Sequence, residues 1–191
     1  MSSIAVAPFT LQLDLESGGL EPHTTRIERR ASSLRGQVAD TAALERLVDG
    51  GDPVVYEVLQ RDVPEEVGQL VCCTTVIRPG AIGAEYHMTK GHFHAERATG
   101  ELYLGLAGHG LLLLQTEDGE TDEQPLARGT VAYVPPGWAH RTVNTGDEPL
   151  VFFAVYPGQA GHDYAAIEAT GFLRRVVRTP EGPAVVPAES A

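Results

Sequence analysis

Gly91-His92-Phe93-His94, then Glu101, then Pro135-Pro136-Gly137-Trp138-Ala139-His140, is the part of this 191-residue chain whose reading decides its fold. Strand side chains repeat every second residue, so His92 and His94 share one face. Glu101 opens the β-like run Glu101-Leu102-Tyr103-Leu104. His140 follows a Pro-Pro-Gly turn, which lets a hairpin aim one more imidazole at the same point. Three imidazole nitrogens and one carboxylate oxygen suit a divalent transition metal. The pattern predicts one such ion per chain, held by His92, His94, Glu101 and His140. His23, His87 and His109 stand outside the pattern and read as satisfied core residues.

Outward from this stretch, runs near 53–60, 68–78, 84–89, 101–106, 110–116, 130–134, 150–156 and 173–178 are rich in Val, Leu, Thr and aromatics. Pro79-Gly80, Asp118-Gly119 and Gly146-Asp147 punctuate them. Many short strands separated by turn signals predict an all-β sandwich or barrel. One short N-terminal helix is expected over Asp40 to Gly51. Asp40 or Thr41 would cap it, Ala43, Leu44, Leu47 and Val48 would form its apolar stripe, and the glycines would stop it. Residues 1–191 read as one domain, with 1–9 and the Pro- and Ala-rich 180–191 as loose tails.

Fourteen Lys and Arg against twenty-six Asp and Glu give a net charge of −12, which argues against a nucleic-acid partner. An acidic protein that takes an anionic ligand needs locally placed donors or a cation. Cys72 and Cys73 are adjacent and form no ordinary bridge with each other, so a reduced, cytoplasmic protein is expected. The N-terminus lacks the basic and apolar regions of a signal peptide, and the apolar run Leu111–Leu114 is far too short to span a membrane. No Gly-rich dinucleotide loop is visible, so no nicotinamide is expected.

The motifs carry a resemblance. Gly129, Pro135, Gly137, His140 and Asn144 match the second cupin motif at its fixed positions, and His92-x-His94, Glu101 and Gly108 resemble the first. Two departures stand out: the gap from His94 to Glu101 is long, and Tyr86 occupies a position that is often glycine. The long gap, with Thr89-Lys90-Gly91-His92-Phe93-His94, Glu101-Leu102-Tyr103 and Trp138-Ala139-His140-Arg141-Thr142-Val143-Asn144, resembles the cupin-type glucose-6-phosphate isomerases first known from archaea. Asp52 to Val58, Thr74-Thr75-Val76, Tyr156-Pro157 and Gly161-His162-Asp163-Tyr164 extend the likeness over about residues 10–178.

That resemblance implies a cupin antiparallel β-barrel of jelly-roll type. It implies metal-dependent interconversion of glucose 6-phosphate and fructose 6-phosphate in glycolysis and gluconeogenesis. It offers Glu101 and His162 as catalytic residues. It offers Tyr56, Thr75, Thr89, the Gly91 amide, Tyr103, Tyr156 and Tyr164 as substrate contacts, with Thr75, Thr89, Gly91, Tyr156 and Tyr164 on the phosphate. Fe²⁺ comes first as the ion, and Mn²⁺, Ni²⁺ or Zn²⁺ fit the same donors. A homodimer is implied as well. Isomerisation or epimerisation of another phosphosugar, a metal-dependent cupin oxygenase and a non-catalytic sugar-binding cupin remain as alternatives. Strand alternation would put Lys90, not Thr89, on the face of His92 and His94; a bend at Gly91 would reverse that. Arg29 and Arg30 read as solvated surface charges.

Overall fold

The computed structural model describes residues 6–188. In chain order its elements are β1 (Gln12–Leu13), β2 (Leu20–Glu21), β3 (Thr25–Arg30), a 3-10 turn (Ala31–Leu34), α1 (Thr41–Asp49), β4 (Val54–Arg61), β5 (Leu70–Ile77), β6 (Ala81–Ile82), β7 (Glu85–Tyr86), β8 (Glu101–Ala107), β9 (His109–Gln115), β10 (Thr121–Ala127), β11 (Val131–Val134), β12 (Ala139–Asn144), β13 (Leu150–Pro157), α2 (Tyr164–Thr170), β14 (Arg174–Thr179) and β15 (Gly182–Pro187).

Two antiparallel walls make the expected jelly-roll barrel. One is a six-stranded sheet in the order β11-β8-β13-β5-β4-β3. The other is built on β10-β9-β12. Residues 87–93 run beside β12 through the bridges Met88↔Val143 and His92↔His140, and β7 just before them pairs with β14. Alternation decides which side chains enter the lumen. In β3 the residues Thr25, Ile27 and Arg29 are half-buried and their neighbours exposed. In β12 all six residues are buried, because one face lines the lumen and the other is covered.

The helix expected near residue 40 is α1, capped by Asp40, whose carboxylate accepts from the Ala43 N–H at 2.8 Å. Leu44 is buried, and Ala43, Leu47 and Val48 pack against the core, as the stripe requires. A second helix, α2, was not legible: it is one short amphipathic segment with only Ile167 buried, capped by Asp163.

The expectation of a loose tail over 180–191 needs correction. Gly182–Pro187 forms β15, which pairs with all of β14, from Arg174↔Pro187 to Thr179↔Gly182. Composition misled because Pro and Ala dominate, yet Val185 packs against the core beside buried Val176. Of the other tail, residues 6–9 lie outside any helix or strand, with the Arg61 guanidinium 5.0 Å above the Phe9 ring. Residues 1–5 and 189–191 lie outside the described residues. Among the described residues no helix is long and apolar enough to cross a membrane. A chain ending at Thr179 loses the partner of β14, and thermal melting should register a loss of about 2–4 kcal/mol, the scale of one or two buried valines. An unchanged melting temperature contradicts this account of β15.

Candidate active site

The barrel lumen holds a cavity of about 430 Å³. Its walls include Tyr56, Thr75, Thr89, Gly91, His92, Glu101, Tyr103, His140, Tyr156, His162 and Tyr164. Of the candidate metal, catalytic and substrate residues named from the sequence, all but His94 line this cavity, and His94 joins it through its contact with Glu101.

The four donors come from three places. Glu101 begins β8, His140 lies near the start of β12, and His92 and His94 sit on the segment that pairs with it. The backbones of His92 and His140 exchange N–H···O bonds of 3.2 and 3.0 Å, which sets the two rings side by side. One donor atom from each of His92, His94, Glu101 and His140 lies within 4.8 Å of all the others. Atoms bound to one ion at about 2.0–2.2 Å are at most about 4.4 Å apart, so side-chain shifts of a few tenths of an ångström suffice.

The hydrogen bonds themselves call for a cation. His94 Nδ1 faces the Thr99 carbonyl at 3.1 Å, and a carbonyl only accepts. In the neutral ring the Nδ1 proton is therefore committed there, and Nε2 turns a lone pair to Glu101 Oε2 at 3.1 Å. Two lone pairs at that distance repel unless positive charge lies between them. His140 Nε2 is also 3.1 Å from Oε2, but its alignment is too poor for a hydrogen bond, and it and His92 Nε2 are buried without a partner. Burial drives His92 well below its usual range, helped by His140, His162 and His94, so its ring is neutral, the form that can donate a lone pair to a metal. The donor set fits a divalent cation.

Next to the cluster stand His162 and Tyr164. The His162 ring is 4.4 Å from His92 and stacks on Tyr164 at 5.8 Å. Asp163 between them is fixed by Arg97 at 2.7 Å and by backbone bonds with Phe93. Arg97 also lies over the Phe93 ring and donates to the His94 carbonyl. Partial burial lowers the pKa of His162.

The far end of the cavity is different. Along β4, Tyr56 and Gln60 are four residues apart, about 13 Å at about 3.3 Å per residue. Tyr56 pairs with Arg29 across β3, whereas Gln60 pairs with Cys73, then Ala154, then Tyr103 beside Glu101. Burial raises the phenols of Tyr56 and Tyr164, and the adjacent Arg29 guanidinium pulls both back. Among the described residues lining the cavity, Arg29 is the one Lys or Arg.

Thr89 and not Lys90 enters the cavity. Gly91 adopts φ +73, which reverses the alternation, and a Cβ there would meet Phe172 at 2.5 Å. The Lys90 ammonium turns outward to Glu168 at 2.8 Å. The Gly91 N–H has no acceptor among the described residues, and the Lys90 N–H points at the Tyr56 hydroxyl at 3.4 Å. Tyr156, expected as a substrate contact, also lines the cavity. It lies at the histidine end, its ring 6.2 Å from that of His94, and its hydroxyl donates to Gln60. Asn144 shares the phase of His140 and Thr142 but serves the fold. It is fully buried and donates to the carbonyls of Ile77 and Glu148. Arg29, read from the sequence as a solvated surface charge, lines the cavity, and Gln60, Asp62 and Thr99 are site residues that the sequence reading passed over. Only the inward phase of Arg29 on β3 was a usable signal.

A family model described as glucose-6-phosphate isomerase (GPI) matches residues 28–185. Glucose-6-phosphate isomerase from Thermococcus gammatolerans is 49% identical over 170 residues, 89% of either chain. The Pyrococcus horikoshii protein of the same name is 48% identical over 170 residues, again 89% of either chain. The one from Sinorhizobium medicae is 40% identical over 177 residues, 92% of this chain and 83% of that one. Among solved structures, oxalate decarboxylase from Bacillus subtilis aligns with 56% of this chain and 26% of its own, at a TM-score of 0.45 and 24% identity.

Metal analysis tests the cluster. His140→Ala should lose stoichiometric metal. Thr99→Val, which removes the hydroxyl 2.9 Å from His94 Nδ1, should weaken metal binding about tenfold. Equal metal content in His140→Ala and the parent protein would remove His140 from the donor set.

Proposed function

The chain belongs to the glucose-6-phosphate isomerase family, and from that premise we propose how its own residues interconvert glucose 6-phosphate and fructose 6-phosphate. It is an aldose–ketose isomerase of glycolysis. The observation that carries the detailed reading is the polarity of one cavity, with His92, His94, Glu101 and His140 at one end and Arg29 at the other.

The phosphate lies with Arg29, the Tyr56 and Tyr164 hydroxyls, Thr75, Thr89 and the free Gly91 N–H. A guanidinium and convergent donors offset the field of a chain whose net charge is −12. Binding that remote group orients the reacting carbons. The open-chain C1 and C2 then face Glu101, with Tyr103 and His162 to either side.

His92, His94, Glu101 and His140 would hold one divalent cation, Fe²⁺ first, with Mn²⁺, Ni²⁺ or Zn²⁺ suiting the same donors. When bound it supplies Lewis-acid stabilisation of the negative charge that develops on O1 and O2. Glu101 moves the proton between C2 and C1 on one face of the chain. A carboxylate held by a cation is a weak base, but both histidines approach the same oxygen, Oε2. That leaves Oε1 for the proton. Tyr103, kept protonated by burial and by the charge of Glu101 beside it, donates to a sugar oxygen. His162, neutral near pH 7, shuttles the hydroxyl proton between O1 and O2.

The assembly is a homodimer packed through the outer face of the six-stranded sheet. Leu102, Val131 and Tyr133 are 42%, 63% and 60% exposed there, and Tyr133 pairs directly with Leu102. A patch of that kind on a sheet edge favours a covering partner. The compartment is the cytoplasm, which two free cysteines suit.

Arg29→Met should raise KM for fructose 6-phosphate and weaken inhibition by inorganic phosphate by on the order of tenfold or more, with metal content unchanged. Unchanged inhibition places the phosphate elsewhere. Glu101→Gln should lower kcat about 10²–10⁴-fold even when metal-replete. Turnover in D₂O should leave deuterium at C1 or C2. Full activity without deuterium would favour a hydride shift and end the role of Glu101 as base.

A further inference from the structure

Tyr156 stands in the cavity wall with its proton already committed. Its hydroxyl donates to Gln60 Oε1 at 2.9 Å, and Gln60 Nε2 donates to Asp62 Oδ1 at 2.5 Å. The other oxygen of Asp62 accepts the hydroxyls of Thr24 and Thr25. The direction of this chain is fixed at its far end. Burial would raise the Asp62 carboxyl, but the hydrogen bonds from Thr25, Thr24 and Gln60 hold it below its usual range. An ionised carboxylate only accepts, so Gln60 must turn its amide N–H to Asp62 and its carbonyl oxygen to Tyr156. That oxygen also only accepts, so Tyr156 donates. Burial keeps the phenol protonated. What remains for a ligand is a lone pair on Tyr156. Gln60, Asp62 and Tyr156 all line the cavity.

We infer that Gln60 sets the hydrogen-bond polarity of the wall beside the histidines, so that Tyr156 accepts from a hydroxyl of the bound sugar and gives no proton to the phosphate. The inference rests on the placement of the sugar carbons at the Glu101 end and the phosphate at the Arg29 end. Gln60 is thereby a positioning residue that acts through Tyr156. The pair favours a ligand with a hydroxyl donor at this point and disfavours one with a carbonyl or phosphate oxygen there, because two acceptors would face each other.

The test is a double-mutant cycle on the metal-loaded enzyme, using Gln60→Met, Tyr156→Phe and the pair. Kinetics with fructose 6-phosphate are read beside inhibition by inorganic phosphate. Gln60→Met should lose about 3–10-fold in kcat/KM, mainly through KM, and the double variant should be no worse than Tyr156→Phe within about twofold. Losses that multiply would show that Gln60 acts independently of Tyr156 and overturn the inference. The inhibition constant for phosphate should stay unchanged in Gln60→Met. Tighter phosphate binding would place the anion within reach of Tyr156 and so overturn the placement at the Arg29 end on which the inference rests. Asp62→Asn keeps the shape but lets the Gln60 amide turn either way, so it should show part of the same KM effect. It carries the test alone if Gln60→Met does not fold, and an unchanged KM then defeats the idea. Failure of the underlying placement has a separate signature, unchanged phosphate inhibition in Arg29→Met.

Discussion

The arrangement depends on one buried carboxylate. Glu101 is 5% exposed, and two imidazole nitrogens stand 3.1 Å from the same oxygen. Isolated charge at that depth is strongly disfavoured, so the group persists only with compensating positive charge nearby. The tautomer of His94 makes the demand specific. Its proton is held by the Thr99 carbonyl, and its free nitrogen points at Glu101. The barrel meets the demand by bringing β8, β12 and the His92–His94 segment to a common point. A barrel interior filled with leucine would be more stable. This one retains a polar lumen because the chemistry needs it.

A second constraint follows from the first. The chain carries a net charge of −12, so an anionic ligand needs a cation of its own placed apart from Glu101. The wall accomplishes this by strand register. Arg29 and Tyr56 lie opposite one another at one level, while Glu101, Tyr103 and Tyr156 lie several residues further along the strands. Extended chain at about 3.3 Å per residue separates the levels by a length suited to a hexose phosphate. Cation and carboxylate therefore occupy opposite ends of one cavity.

Much of this was legible in the residues, and the exceptions share a cause. His-x-His and the residues after Pro135-Pro136-Gly137 report local geometry, which the period of a strand fixes, so the donor cluster could be read directly. Strand period alone would turn Lys90 inward, and that rule fails where Gly91 takes φ +73, the bend that the resemblance, which offers Thr89 as a substrate contact, requires. Arg29 was read as a surface charge because composition says nothing of which face is covered, although its phase with Ile27 was available. Gln60 and Asp62 were out of reach. Their roles arise from contacts with Tyr156, Thr24 and Thr25, which are remote in sequence. The hairpin Arg174–Pro187 was misread for a similar reason, since its order comes from pairing and not from propensity.

The outward face of β12 carries a buried charge. Between His140 and Thr142, which face the cavity, Arg141 points the other way and is 2% exposed. Burial lowers its pKa to about 10, with the charge of Glu85 opposing that fall, so the guanidinium stays charged near pH 7. It is held by the Gln37 carbonyl oxygen and lies 4.3 Å from the Phe172 ring centroid. Two of its N–H groups donate to one acceptor, the Lys90 carbonyl, at 3.2 and 2.6 Å. Lys90 lies between Thr89 and Gly91, which both line the cavity. A carbonyl pinned from behind by a buried cation leaves the following N–H little freedom to turn. The strand that supplies His140 to one end of the cavity thus also fixes the loop at the other, and the two ends are built on a single rigid element.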